Sequence, residues 1–215
     1  MRVALIGGTG LVGSLLVPKL LHAGHDLHRL QRREGRAGEG ATLHIAAPED
    51  WPAVVRALRP EAAISTLGTT IRQAGSRHAF RMVDHDLVLS FAQAAREAGA
   101  TRFASVSSVG ANPKSKTFYL RTKGELDAAL DLLGFHRLDI LRPGLLLGAR
   151  AESRPAERLA QLLSPAANLL LRGPLHRYAA IHADKVATAL AATLTQEAPG
   201  RHHHENKGIE ALADW

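Results

Sequence analysis

Tyr119 and Lys123 stand four residues apart in Tyr-Leu-Arg-Thr-Lys, in a chain with only two tyrosines. On a helix that spacing puts both side chains on one face. An ammonium there favours the phenolate form of the tyrosine and can also reach a sugar hydroxyl. Just upstream, Ser107-Ser108 follows the apolar run 102–106. If that run is a strand, the serines lie at its carboxyl end, where open α/β sheets bind their ligands. A serine hydroxyl can hydrogen-bond a carbonyl oxygen while a tyrosine exchanges a proton with it. One of Ser107 and Ser108, together with Tyr119 and Lys123, is therefore the candidate acid–base set.

A second constellation opens the chain: Gly7-Gly8-Thr9-Gly10-Leu11-Val12-Gly13. It satisfies Gly-x-Gly-x-x-Gly through Gly8, Gly10 and Gly13, and Gly-x-x-Gly-x-x-Gly through Gly7. Glycine is needed there for a tight turn, for backbone approach to a pyrophosphate, and for close packing of helix on strand. The pyrophosphate then meets the free amides and positive end of the following helix. The motif follows an apolar strand at 2–6 and opens a helix-patterned stretch at 11–22, the context that a dinucleotide site requires. About twenty residues on, the second strand ends in Gln31-Arg32-Arg33, with no carboxylate until Glu34. An acid would accept from the ribose hydroxyls of NAD, whereas guanidinium groups suit the 2′-phosphate of NADP. NADP(H) is favoured over NAD.

The elements that must carry these residues alternate. Strands are expected at 2–6, 26–31, 42–46, 62–67, 102–106 and 139–141. Helices are expected at 11–22, 51–58 with Asp50 as N-cap, 84–98 with Asp84 at its start, and 118–132. Pro18 falls inside the first helix, where it costs a hydrogen bond or a kink. The order is that of an α/β protein with a Rossmann-type, doubly wound parallel sheet and helices on both faces. The whole of 1–215 reads as one domain. Residues 148–177, punctuated by Pro155, Pro165 and Pro174, read as a small substrate or lid segment over the sheet.

Composition bounds the rest. The chain has 215 residues, is 46% hydrophobic and lacks cysteine, which excludes disulfides, thiolate nucleophiles and cysteine-ligated metals. No apolar run approaches the ~20 residues of a membrane span, and the N-terminal apolar stretch is too short for a secretory signal. A soluble, cytoplasmic protein is expected. The formal net charge is +7, but the arginines are spread along the chain and aromatic residues are only 4%, which argues against nucleic acid. His202-His203-His204 lacks ligand spacing and reads as a solvated loop; no metal is expected. Asp184 reads as the N-cap of a helix that follows His182. The leucines of 159–171 read as packing residues more readily than as a partner-docking surface.

These motifs together resemble the atypical short-chain dehydrogenases, and within them the Tat-interacting-protein-like branch of NADPH-binding proteins. The likeness rests on Gly7 to Gly13, Arg32-Arg33, Ser-Thr-Leu-Gly-Thr-Thr at 65–70, Ser-Ser-Val-Gly-Ala at 107–111 and the Tyr119–Lys123 stretch. It continues through Leu-Arg-Pro-Gly at 141–144, Glu152-Ser153-Arg154-Pro155 and Glu205-Asn206-Lys207. The resemblance implies that Thr9 to Gly13 hold the pyrophosphate, Arg32 and Arg33 the 2′-phosphate, and Leu67, Gly68 and Thr69 the adenosine half. It implies that Tyr119 donates the proton, with Lys123 on the nicotinamide ribose and Ser108, ahead of Ser107, as the catalytic serine. Ser107, Pro143 to Leu146 and Arg154 would line the nicotinamide end. One departure is visible: Ala47-Pro48-Glu49 stands where relatives often carry an aspartate near the adenine. The expected function is NADPH-dependent reduction of a small carbonyl compound of unknown identity, by a monomer or homodimer. The competing reading is an NADPH sensor that regulates a protein partner with little or no turnover.

Overall fold

β1 (Arg2–Ile6) is apolar and buried from Val3 to Ile6, as a central strand covered on both faces must be. In this computed structural model, which describes residues 1–34, 40–148 and 173–214, it leads through the glycine-rich turn into α1 (Leu11–His22). β2 (Asp26–Gln31) then pairs with β1, and β3 (Thr42–Ile45) with β2. α2 (Trp51–Leu58) and β4 (Ala62–Ser65) return the chain to the other side of β1. Two short helices follow, α3 (Ile71–Ala74) and α4 (Arg77–Arg81), then a π-helical stretch (Met82–Asp86) that runs into α5 (Leu87–Glu97).

β5 (Arg102–Val106), α6 (Phe118–Asp131) and β6 (Arg137–Arg142) extend the sheet. β7 (Leu146–Leu147) and β8 (Ile181–His182) form a separate short parallel pair. α7 (Ala183–Thr193), β9 (Gly200–Glu205) and α8 (Asn206–Ala213) close the described chain. The main sheet has seven strands in the order β3-β2-β1-β4-β5-β6-β9, every pair parallel. This is the expected Rossmann-type α/β fold. The strand order reverses between β1 and β4, which opens a crevice at their carboxyl ends.

Alternation along β1 sorts the core into two halves. Val3 and Leu5 pack with Leu16 and Leu20 of α1 and with Val186 and Leu190 of α7. Ala4 and Ile6 face the other way, onto Val55 of α2, Phe91 of α5 and Leu126 of α6. Pro18 is exposed on the solvent side of α1, so its missing amide is lost where water surrounds the helix and the helix runs through it.

Several local expectations are corrected. The helix expected at 84–98 is the end of a longer run that begins at Arg77, capped by the Ser76 side chain on the Ala79 amide. Asp84 is therefore no N-cap but a fully buried residue of the π-helical stretch. Asp50 does occupy the N-cap position of α2, but its side chain makes no cap bond; it ends a 3₁₀ turn at Pro48–Asp50. Asp184 lies inside the first turn of α7 and pairs with Lys19 at 2.9 Å. The three histidines are residues of edge strand β9, not of a loop. Residues 149–172 of the 148–177 segment, Arg154 and the leucines at 159–171 among them, lie outside the described residues. No helix among the described residues is long and apolar enough to cross a membrane.

Candidate active site

The glycine-rich turn is shaped by contacts that only glycine permits. Gly7 adopts φ +80°, and a Cβ there would fall 2.4 Å from the Leu67 amide nitrogen after β4. A Cβ on Gly13 would meet the Gly7 carbonyl oxygen at 2.2 Å and the Thr66 hydroxyl at 2.7 Å. The first turn of α1 thus sits directly against β1 and β4. Gly10 begins the helix with no side-chain cap and no acid follows in the first turn, which leaves the helix's positive end for an anion.

Above this turn lies a cleft of about 780 Å³. Thr9, Gly10, Leu11 and Val12 form one wall, and Leu67, Gly68 and Thr69 a second. Ser107, Ser108, Tyr119 and Lys123 line the far side, with Pro143 and Leu146 at the end. The expected residues of the turn, the serine pair, the helix face and the proline loop are thereby brought together. Gly7 and Gly13 lie beneath the cleft as packing residues. Arg32 and Arg33 are exposed just beyond β2 and do not line it. Gln31, buried at the end of β2, accepts from Arg29 at 3.2 Å and donates to the Arg33 carbonyl at 2.7 Å, which orders the start of that turn.

α6 presents Tyr119, Lys123 and Asp127 at successive four-residue steps on one face. Its close approach depends on Gly124, where a Cβ would come within 2.2 Å of the Asn112 carbonyl carbon. The Tyr119 ring packs 5.5 Å from that of Phe80 in α4. Lys123 is buried, and its ammonium lies 2.7 Å from Asp84 Oδ1. Asp84 Oδ2 accepts from the Thr69 amide at 2.8 Å. Burial pushes the Asp84 carboxyl above the ordinary carboxylate range, against the pull of Lys123 and of the Thr69 amide. Burial also works to discharge Lys123, but the Asp84 carboxylate, then Tyr119 and Asp127, outweigh it and hold the ammonium above its ordinary value.

The two serines differ. Ser107 Oγ donates to Asp127 Oδ2 at 3.0 Å, and the same oxygen receives Arg142 Nε at 2.8 Å. Burial raises Asp127 despite Arg142 and Ser107. Among the described residues, Ser108 Oγ has only a long contact, 3.4 Å, to the Val109 carbonyl. At the cleft's end, Gly144 donates to Asn206 Oδ1 at 2.9 Å, and Asn206 Nδ2 donates to the carbonyls of Ala179 at 2.7 Å and His176 at 3.2 Å. Sequence reasoning missed Asp84, Asp127 and Gln73 as residues of or behind the cleft. The repeated four-residue spacing 119, 123, 127 was the available signal for Asp127.

This sheet, turn and helix face define a dinucleotide-binding α/β protein, and the pattern of the NAD dependent epimerase/dehydratase family matches residues 3–129. The chain belongs to that family. It is 40% identical over 175 residues to "Protein fmp52, mitochondrial" of Emericella nidulans, covering 77% of this chain and 75% of that one. With "Protein FMP52, mitochondrial" of Coccidioides immitis it shares 36% over 202 residues, 86% and 82% of the two chains. Among solved structures it resembles the UDP-glucose 4-epimerase of Thermus thermophilus in complex with NAD. There the TM-score is 0.74 at 20% identity, over 100% of this chain and 83% of that one. The enzyme WbmH of Bordetella bronchiseptica in complex with NAD+ gives 0.71 at 18%, over 99% and 79%. At such identities these two establish the fold alone. The relatives overturn the cytoplasmic expectation, since they are named as mitochondrial proteins. That expectation rested on absent cysteines and an absent secretory signal, which cannot distinguish one reducing compartment from another.

Proposed function

We propose that the protein is an NADPH-dependent reductase of small carbonyl compounds, of the short-chain dehydrogenase type. The observation that carries this reading is the convergence of Ser108, Tyr119 and Lys123 on the same cleft as the glycine-rich turn. The residues present fit a dinucleotide: the cradle at Gly7 and Gly13 admits no side chain, and an uncapped helix end faces the cleft. Thr9 to Val12 would hold the pyrophosphate, Leu67 to Thr69 the adenosine half, and Pro143 with Leu146 the nicotinamide end. When bound, NADPH supplies a hydride.

Tyr119 donates its hydroxyl proton to the substrate oxygen as that oxygen gains charge. Ser108 donates a hydrogen bond to the same oxygen, because its hydroxyl proton is held only weakly by the Val109 carbonyl. Ser107 is committed to Asp127 and serves the site's shape instead. Lys123 keeps its ammonium through Asp84 and donates towards the ribose. Arg32 and Arg33 stand for NADPH over NADH: the second strand ends in Gln31, with no carboxylate to repel a 2′-phosphate. The Glu152–Pro155 motif supports placing the chain on the Tat-interacting-protein-like branch.

The test is a screen of NADPH and NADH oxidation against aldehydes, ketones and quinones. Turnover of at least one class, faster with NADPH, is expected. Tight NADPH binding with no turnover of any class would overturn the reductase reading and leave an NADPH-responsive regulator in its place.

A further inference from the structure

Asp84 is the least explicable residue of the molecule if it is read by itself. A carboxylate with no exposed surface is costly unless its oxygens are satisfied. Here two different parts of the chain engage them, one by an ion pair and one by a hydrogen bond. Oδ1 faces the Lys123 ammonium from α6 at 2.7 Å, and Oδ2 receives the Thr69 amide from the turn after β4 at 2.8 Å. Gly68 of that turn passes directly over the pair: a Cβ there would lie 3.5 Å from Asp84 Oδ1 and 4.0 Å from Lys123 Nζ. The carboxylate is delivered by a π-helical stretch, an irregularity frequent at functional sites.

We propose that Asp84 is the positioning residue of this site, clamping Lys123 and the 67–69 turn into one unit before any cofactor arrives. An aspartate is required by donor arithmetic. Both groups that face it, an ammonium and an amide N–H, are donors. An asparagine has one acceptor oxygen and would turn its NH2 towards one of those donors. The clamp also explains how a lysine only 4% exposed stays charged. The titratable groups facing Lys123 are Asp84 from the π-helical stretch and Tyr119 and Asp127 from its own helix. Asp127 is itself engaged by Arg142 and Ser107. Beside Asp84, His85 is paired with Asp86 at 2.7 Å and Arg81 lies 3.9 Å from the same carboxylate. Asp84 thus holds Lys123 through its own charge. The consequence for turnover rests on the reductase reading; the clamp does not, and it is tested without turnover.

The experiment compares wild type, Asp84→Asn, Lys123→Met and the double variant by fluorescence titration of NADPH between pH 6.5 and 9, and by thermal melting without cofactor. Wild-type affinity should change less than about two-fold across this range. Asp84→Asn should bind at least about ten-fold more weakly, and weaken further as pH rises and the unpaired lysine loses its proton. In the Lys123→Met background the same substitution should add almost nothing and remove the pH dependence. Without cofactor, the double variant should melt above Asp84→Asn, since no buried charge is left without a partner. Wild-type affinity in Asp84→Asn, or an equal loss with and without Lys123, would overturn the proposal. So would a double variant that fails to fold alongside Asp84→Asn, which would make Asp84 a support of the fold and not of Lys123. If wild type binds NADPH but reduces nothing, the reductase reading fails while these comparisons still decide the clamp. If it does not bind NADPH, the melting comparison alone decides it.

Discussion

The proposed preference for NADPH rests on Arg32 and Arg33, which lie in an exposed turn that Gln31 orders through the Arg33 carbonyl. A charge-assisted hydrogen bond to phosphate contributes roughly 1.5–3 kcal/mol. Replacing both arginines by alanine should therefore weaken NADPH binding by about 10- to 100-fold and leave NADH binding nearly unchanged, as read by titration calorimetry. An equal loss for both cofactors would move the contact elsewhere. Tyr119 and Lys123, which line the cleft, were legible because charge and spacing announce them. Asp84 was not. An acid ahead of an apolar helical run is the usual sign of an N-cap, and only the capped start at Ser76 reveals that the helix is already under way. Ser107 and Ser108 are indistinguishable in sequence, and the Asp127 contact that separates them spans twenty residues.

The loop after β6 shows how an element is held from a distance. Asn206, fully buried at the start of α8, accepts from the Gly144 amide and donates to the Ala179 and His176 carbonyls. Gly144 cannot carry a side chain, since a Cβ would lie 2.2 Å from the Ala179 oxygen. Asn206→Ala leaves these groups unmet, at a cost of about 1–3 kcal/mol of stability. It should loosen the nicotinamide end of the cleft alone. NADPH affinity is expected to fall several-fold, while adenosine 2′,5′-bisphosphate, which lacks that end, binds as before. Equal losses for both ligands would contradict this. α1 and α6 are legible to within a residue of their ends, α1 because the glycine-rich turn opens it and Gly24 follows its last residue closely. β9 is not, because Gly200 to Glu205 is largely polar and only partly buried; its pairing with β6 makes it a strand.

At the scale of the whole molecule, that edge is fastened by a buried cluster. Asp139 of β6 receives both Arg137 Nε and a terminal nitrogen at 2.6 and 2.8 Å, and lies 2.8 Å from His204 Nε2 of β9. Burial would raise Asp139, but the hydrogen bonds from His204 and Arg137 win and hold it below the ordinary carboxylate range. A depressed carboxylate contributes stability that is present above the unfolded pKa and lost as pH falls through the folded one. Asp139→Asn should accordingly cost about 3 kcal/mol near neutrality, and scanning calorimetry should show that gap closing towards pH 3. A gap that stays constant with pH would mean the charge is not what fastens β9. The sheet brings the glycine-rich turn and the α6 face to one cleft, and the claim that this cleft reduces a carbonyl stands or falls on Tyr119. The most direct measurement sets wild type beside Tyr119→Phe, with NADPH affinity and turnover of the best substrate taken on the same samples. The ring keeps its contact with Phe80, so affinity should hold within about two-fold while turnover falls by about 10²–10⁴. Turnover at the wild-type rate would show that Tyr119 is not the acid, and loss of NADPH binding would show that its role is structural.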